Sequence, residues 1–475
     1  MALSILTSGN LQVTPFKLER LLDLKIIPKF NEHTRLTFTG IVLEEDKDQC
    51  LREITRDSLV EVNQMSFDHV MSLLFRGLVS QIELKTVHNI NCLEVEAVSL
   101  TQMLDCKLKS RSFQNKDLSY EALIKGIVSE YDGDIRDEVS RQKKIGKMVM
   151  QYQETDWQFL KRLASHFNTG LIPYDLADKP KLFFGLPEPE DTAELESYNY
   201  RVSKKLAEYR CFSENHDPSL GEADFIHYEV ESEQSLKIGD MVSFNGIKLY
   251  VGEAISFLEN NRFRHRYCLK PQKGLSQPQL YNEKIVGLSL EGQVIAVDKD
   301  RVKVHLAIDE KQTVENAWWF SYSSAYTAEG NSGFYYMPER DDTVLVYFPD
   351  KNEDAAMAIS SVRKDVNPNE KNKISNPDIK YFRTKAGKEL MFSPSEVVIS
   401  GKDNKLFVKM NDKDGILVCS NKAVKVIAKE DLIMESEEAK VIVKAKEGID
   451  LSCDNSKINL DKTTVVVTGD EVKTN

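Results

Sequence analysis

The sequence predicts a mainly β protein with some helices, ending in an intertwined β-helix or prism built from several chains. Three observations carry that reading. Helical periodicity is confined to the first 270 residues, set among strands. Short apolar runs separated by turn residues crowd positions 284–364. From 381 to 475, pairs of apolar residues recur about every eight positions.

The first region, 1–270, reads as mixed. Strands are expected at 36–43 and at 82–84, the latter pairing with 92–98. Between 120 and 131, Leu123, Ile127 and Val128 share one helical face, and between 156 and 167 Phe159, Leu160, Leu163 and Phe167 do the same. Thr155 or Asp156 is the natural N-cap of the second helix. The polar stretch 271–279, with two prolines and a glycine, reads as a linker. In the second region, 284–364, Val294 and the runs 302–306, 343–348 and 356–362 mark about five short strands, which suits a small closed barrel of the OB type. A second linker follows at 365–378.

The third region, 381–475, holds the repeat. Its pairs are Val408/Met410, Ile416/Val418, Val424/Val426, Leu432/Met434, Val441/Val443, Ile449/Leu451 and Ile458/Leu460, at steps of 8, 8, 8, 9, 8 and 9 residues. Alternation gives each strand one apolar and one solvated face. A single ribbon of this kind has a narrow apolar stripe and two open edges, so it cannot bury its own core. Several identical chains wound together bring the stripes onto one axis and pair the edges, and three chains make a triangular prism whose core is those fourteen residues. The alternative is an ordinary up-and-down sheet, against which stand the even repeat and a scarcity of hairpin turns. At the far end Val465, Val466, Val467 and Thr468 would leave apolar strand edges facing water, which need a cover.

Composition excludes several functions. The 475 residues are 41% hydrophobic and 29% charged, ordinary for a globular chain. The net charge of −12 is interspersed, with no basic run interleaved with aromatics, so no nucleic-acid partner is expected. No stretch approaches the ~18 apolar residues of a membrane helix, and the N-terminus lacks secretory-signal features. Synthesis and assembly in the cytoplasm are therefore expected. Seven scattered cysteines form no CxxC pair and read as reduced thiols. The stretch from Gly287 to Gln293 lacks the lysine of a phosphate loop. The run from Asp132 to Glu138 resembles a calcium loop but has Arg136 at a ligand position. His88 and Cys92, four apart, fall on a strand and turn, and no GxSxG elbow or HxxxH pair exists. No metal, cofactor or catalytic residue is expected.

Four stretches carry a family resemblance. The first is Arg111 to Asn115 with Tyr120 and its helix. The second and most specific is Gln151-Tyr152-Gln-Glu154-Thr155-Asp156-Trp157-Gln-Phe159-Leu160-Lys-Arg162-Leu163. The third runs from Ile238-Gly239-Asp240 through Tyr250-Val251 to Leu269. The fourth holds Trp318-Trp319, Gly330, Gly333, Pro338 and the run Val344 to Phe348. Together they resemble the VgrG family of hub and spike proteins of contractile injection systems: type VI secretion, phage tails and extracellular injection particles.

The resemblance implies a baseplate-hub-like domain with two β-barrels over 1–270, an OB-fold barrel at 284–364 and a trimeric spike at 381–475. It implies a homotrimer that adapts a hexameric, Hcp-like tube to a membrane-piercing needle. Its further partners would be baseplate proteins, a PAAR-type tip protein, effectors and, transiently, a target membrane. Such a protein acts mechanically, is not an enzyme, and leaves the cell on firing. The linker 365–378 is too short for the lysozyme domain some phage spikes insert there, and no toxin domain is expected after the prism. Two departures stand out. Asp341 replaces the turn glycine that often precedes the last barrel strands. The tail also lacks histidine, so a His-x-His iron tip is not expected. A receptor-binding fibre or adhesin is the alternative, disfavoured because Phe407 is the one aromatic from position 406 onward.

Overall fold

Alternation along Arg35–Val42 buries Leu36, Phe38 and Val42 on one face, and the same period organises most of the N-terminal region. The computed structural model describes residues 6–66, 69–189, 191–197, 199–326, 332–363, 376–402 and 405–473. They divide into two compact units, Met1–Asp365 and Val366–Asn475. The motif residue Gly330 and positions 365–375 of the second linker lie outside the described residues.

In the first unit, twelve described strands form one sheet. Its first half runs Leu11–Thr14, Leu59–Ser66, His69–Val87, Ile90–Ser99, Arg35–Val42 and Arg20–Ile27. The second continues with Ile247–Glu259, Arg262–Lys270, Ile226–Ser232 and Tyr200–Lys204, while Met241–Phe244 and Thr192–Glu194 branch off. Each half encloses its own core, Leu24, Phe38, Phe75 and Leu93 in the first and Val230, Phe244, Val251 and Tyr267 in the second. The two barrels expected from the resemblance are thus two halves of one sheet. They join where Ser256 and Phe257 pair with Ile26 and Lys25, which covers an edge of Arg20–Ile27 that would otherwise be open. The expected pairing at 82–84 is present, with Ile82 opposite Val95 and Leu84 opposite Leu93.

A helical subdomain sits between these halves in sequence. Helix Tyr120–Ser129 buries Tyr120, Leu123, Ile124, Ile127 and Val128 and is capped by Ser119, whose side chain accepts from Ala122 N. Helix Asp156–Ser165 is capped by Thr155, with Gln158 completing a capping box. Both helices end two residues short of expectation, yet Phe167 still packs against Tyr120 with ring centroids 4.8 Å apart. The stretch read as a linker at 271–279 is packed: it carries a short 3-10 turn, Gln272–Leu275, buries Leu275, and bonds Gln277 to Asn31.

The OB-type barrel closes as expected, in the order Ser289–Asp298, Arg301–Leu306, Trp319–Tyr322, Met357–Val362 and Thr343–Tyr347. Val294, Val302, Val304, Phe320, Val344 and Val346 are buried at its centre. Asp341 takes the turn position in the left-handed region, φ 75°, and Asp342 accepts from Glu339 N at 2.8 Å. The replaced glycine is therefore tolerated because Asp341 itself accepts the left-handed turn position.

The second unit contains two antiparallel meanders. One is Lys380–Arg383, Glu389–Phe392, Glu396–Lys402, Leu406–Asn411 and Gly415–Ser420; the other is Ile449–Cys453, Ser456–Leu460 and Val465–Thr468. The scarcity of hairpin turns expected from sequence is corrected here. Asn411 Oδ1 accepts from Lys413 N and Asp414 N, and Gly415 adopts φ 79°, which closes one hairpin. Asp454, at φ 48°, closes another in two residues. Within one chain the alternative of an up-and-down sheet therefore describes the strands of these two meanders. Residues 421–448 between them form neither helix nor strand.

Candidate functional site

Residues directly opposite in a ladder share a face, and the tail registers gather the repeat onto one. Phe382, Leu390, Ile399, Val408 and Val418 lie opposite one another across five strands, and Phe392, Val397, Met410 and Ile416 form the adjacent row. In the second meander, Ile449, Leu460 and Val465 form one row, and Leu451, Ile458 and Val467 the next. The face is apolar apart from Lys380, which stands opposite Phe392, and is largely unburied in one chain. Val408, Ile449 and Leu460 are partly covered, but Ile416 is 74% exposed and Leu451 57%, with Met410, Val418 and Ile458 also exposed. Val424, Val426, Leu432, Met434, Val441 and Val443 fall in the segment without ladder partners and are exposed as well. Phe382, Leu390, Phe392, Val397 and Ile399 belong to the same face although the sequence reading began at Val408. Their spacing of about eight residues was the signal.

The tip residues Val465, Val466, Val467 and Thr468 form the last strand, exposed and paired on one side with Ser456–Leu460. Val465 and Val467 continue the apolar face, while Val466 points the other way beside Asn459.

A second constellation comes from the most specific sequence stretch and joins the helical subdomain to the OB barrel within the first unit. Asp156 is fully buried and accepts from Lys109 at 2.5 Å, Tyr131 Oη at 2.6 Å, Arg111 at 2.8 Å and Gln151 at 3.0 Å. Burial alone would raise its carboxyl; these donors outweigh that and hold it below the ordinary range. Arg162 lies six residues on, also buried. Its guanidinium donates to both oxygens of Glu154, at 3.0 and 2.8 Å, to Met150 O at 2.6 Å, and to Glu353 Oε1 of the barrel at 2.6 Å. Ser112 adds two bonds to Asp309, and Gln114 reaches Val304 O and Trp318 N. Met148 and Met150 enter the barrel core itself. The helix that begins at Asp156 is thus core of one chain, and its polar residues brace one domain on another.

Comparison with known proteins agrees with this architecture. Residues 56–167 match the phage tail baseplate hub (GPD) family, and 290–362 match the type VI secretion system/phage-baseplate injector OB domain. No curated protein matches the chain. Among solved structures, the E. coli c3393 protein, a type VI secretion component described as similar to T4 phage tail proteins gp27 and gp5, superposes with TM-score 0.51 at 14% identity. That match covers 74% of this chain and 99% of the other. The Francisella PdpA–VgrG complex superposes with TM-score 0.54 at 10% identity in its lidded form, covering 84% of this chain and 76% of the other. Its half-lidded form gives 0.53 at 10%, covering 86% and 87%. The chain therefore carries a phage tail baseplate-hub domain braced onto a type VI secretion/phage-baseplate injector OB domain.

Proposed function

We propose that the chain works as a homotrimer, in which the hub region adapts a hexameric, Hcp-like tube and the tail forms a membrane-piercing needle. The carrying observation is the tail's apolar face, exposed along its length in one chain and continued through 421–448, whose backbone has no ladder partner. Other copies can supply both the missing apolar cover and the missing strand neighbours. Symmetry favours a threefold solution, because two sheet halves per subunit present six similar units to a hexameric ring. Hydrogen exchange tests the reading directly. Amides of 422–448 are expected to be protected in the assembled protein; exchange at open-chain rates contradicts an intertwined needle.

At the tip, the free edge of Val465–Thr468 suits a small PAAR-type cap, one per trimer. Co-expression with such a protein is expected to give a 3:1 complex that is lost on deleting 458–475, and a soluble trimer that ignores it would remove the cap from the account. Effectors are the expected cargo; a Francisella VgrG relative is solved with PdpA. The action proposed is mechanical, with assembly in the cytoplasm and delivery on firing, so a turnover screen on peptidoglycan and glycans is expected to stay at background.

A further inference from the structure

The large sheet of the first unit has an open end. Tyr200–Lys204 is its last strand, and Ile226–Ser232 is the one strand beside it among the described residues. Lys205 N donates to Phe225 O at 2.9 Å, one step beyond the opposed pair Lys204 and Ile226. Bonded and non-bonded pairs alternate along an antiparallel ladder, so Arg201 and Ser203 bond inward. The N–H and C=O of Tyr200, Val202 and Lys204 therefore point away from the sheet. No backbone group among the described residues bonds to them there.

Unpaired backbone alone is ordinary at a sheet edge. Here the side chains are uncovered as well. Tyr200 and Val202 lie on the face that packs on this half's core. The Tyr200 ring meets that of buried Phe244 edge-on, with centroids 5.2 Å apart, and Val202 stands opposite Tyr228, whose ring also meets Phe244. Each is nevertheless 49% exposed. Helix Leu206–Asn215 follows directly, buries none of its residues and leaves Leu206 exposed. At the far end of the sheet, by contrast, Leu11–Thr14 buries both Leu11 and Val13. The opposite face of the open strand is basic. Positions 197–207 hold Arg201, Lys204 and Lys205 and no carboxylate, in a chain of net charge −12. Lys204 pairs with Glu222, and Arg201 reaches Glu229 only at 3.9 Å between exposed side chains. Among the described residues Lys205 has no ion pair.

We propose that this edge takes an extended, acidic segment of a partner protein as an added strand. Main-chain bonds to Tyr200, Val202 and Lys204 hold the segment. Its apolar side chains continue the face of Tyr200 and Val202 and complete the cover of that edge. Its carboxylates, on the other face, meet Arg201 and Lys205, and these cross-strand pairs set the preference for an acidic partner. One chain builds the site in its first unit, so the mass of the particle and the occupancy of the edge can fail separately.

The test titrates the full chain with labelled acetyl-Glu-Val-Glu-Val-Glu-Val-Glu-amide by fluorescence anisotropy, beside its glutamine counterpart and a counterpart with an N-methylated backbone. The acidic peptide is expected to bind at least about tenfold more tightly than either. Val202→Pro removes one outward N–H without removing a bond to Ile226–Ser232, and is expected to weaken binding at least about tenfold. The peptide arms are read on the unmutated protein, so they stand whether or not the variant folds. Equal binding of the acidic and glutamine peptides, undiminished binding of the methylated one, no saturable binding below about 1 mM, or unchanged affinity in Val202→Pro would each overturn the proposal. Hydrogen exchange identifies the occupant: the amides of Tyr200, Val202 and Lys204 are expected to exchange fast in the full chain alone and slowly with the acidic peptide. Protection without the peptide would assign the edge to a second copy of the chain and overturn the proposal.

Discussion

Arg162 holds Glu154 and Glu353 at once, with both ion pairs almost fully removed from water. Replacing it by leucine leaves two carboxylates close together in the core and removes the bond to Met150 O. Breaking a buried pair from one side costs about 3–5 kcal/mol, so Arg162→Leu is expected to lower urea-unfolding stability by roughly that amount; a loss under about 1 kcal/mol contradicts the bracing role. The buried histidines set a second expectation. Burial pushes His166, His227 and His265 each down to about 4, whereas an unfolded imidazole titrates near ~6.5. Between those values the unfolded chain binds more protons, so stability is complete above the unfolded value and is lost as pH falls toward the folded one. The melting temperature is expected to drop steadily from about pH 7 to about pH 4.5, and a flat profile across that window contradicts neutral burial. Asp341 shows what a residue can say alone, since its tolerance of positive φ was readable before any turn was seen.

Element by element, what the sequence revealed depended on burial. Helices Tyr120–Ser129 and Asp156–Ser165 each bury a stripe, and the stripe gave them away. Helix Leu206–Asn215 buries no residue, so its chain carries no such period and it went unread. Strand His69–Val87 was legible only at 82–84, because its first four residues are exposed on both faces. The tail's face is legible from Val408 onward, while its upstream residues, among them Phe382 and Leu390, are not. Its hairpins were missed too, since Asp454-Asn455 and the turn before Gly415 are short enough to hide inside an eight-residue step. The face itself invites a matched pair of substitutions. Leu451 lies on it and Ser452 on the opposite side of the same strand. Leu451→Asp places a carboxylate from every copy in an apolar core and is expected to abolish assembly in sedimentation, whereas Ser452→Asp is expected to be nearly silent. Equal behaviour of the two variants contradicts the assigned face.

At the scale of the whole molecule, the closed OB barrel was legible in the sequence, yet the joints within the first unit were not. The apparent linker at 271–279 is packed, and the two expected barrels share one sheet, because long-range pairing such as Phe257 with Lys25 leaves no local mark on either strand. The buried network likewise unites Arg162 with Glu353, 191 positions along the chain. What one chain leaves undone is most extensive in the tail, where an apolar face and a 28-residue segment lack cover. The central claim, that identical chains complete each other there, is tested most directly by the native mass of the full-length protein at micromolar concentration. The account predicts a particle of three times 54.2 kDa; a stable, folded species at the single-chain mass would contradict it.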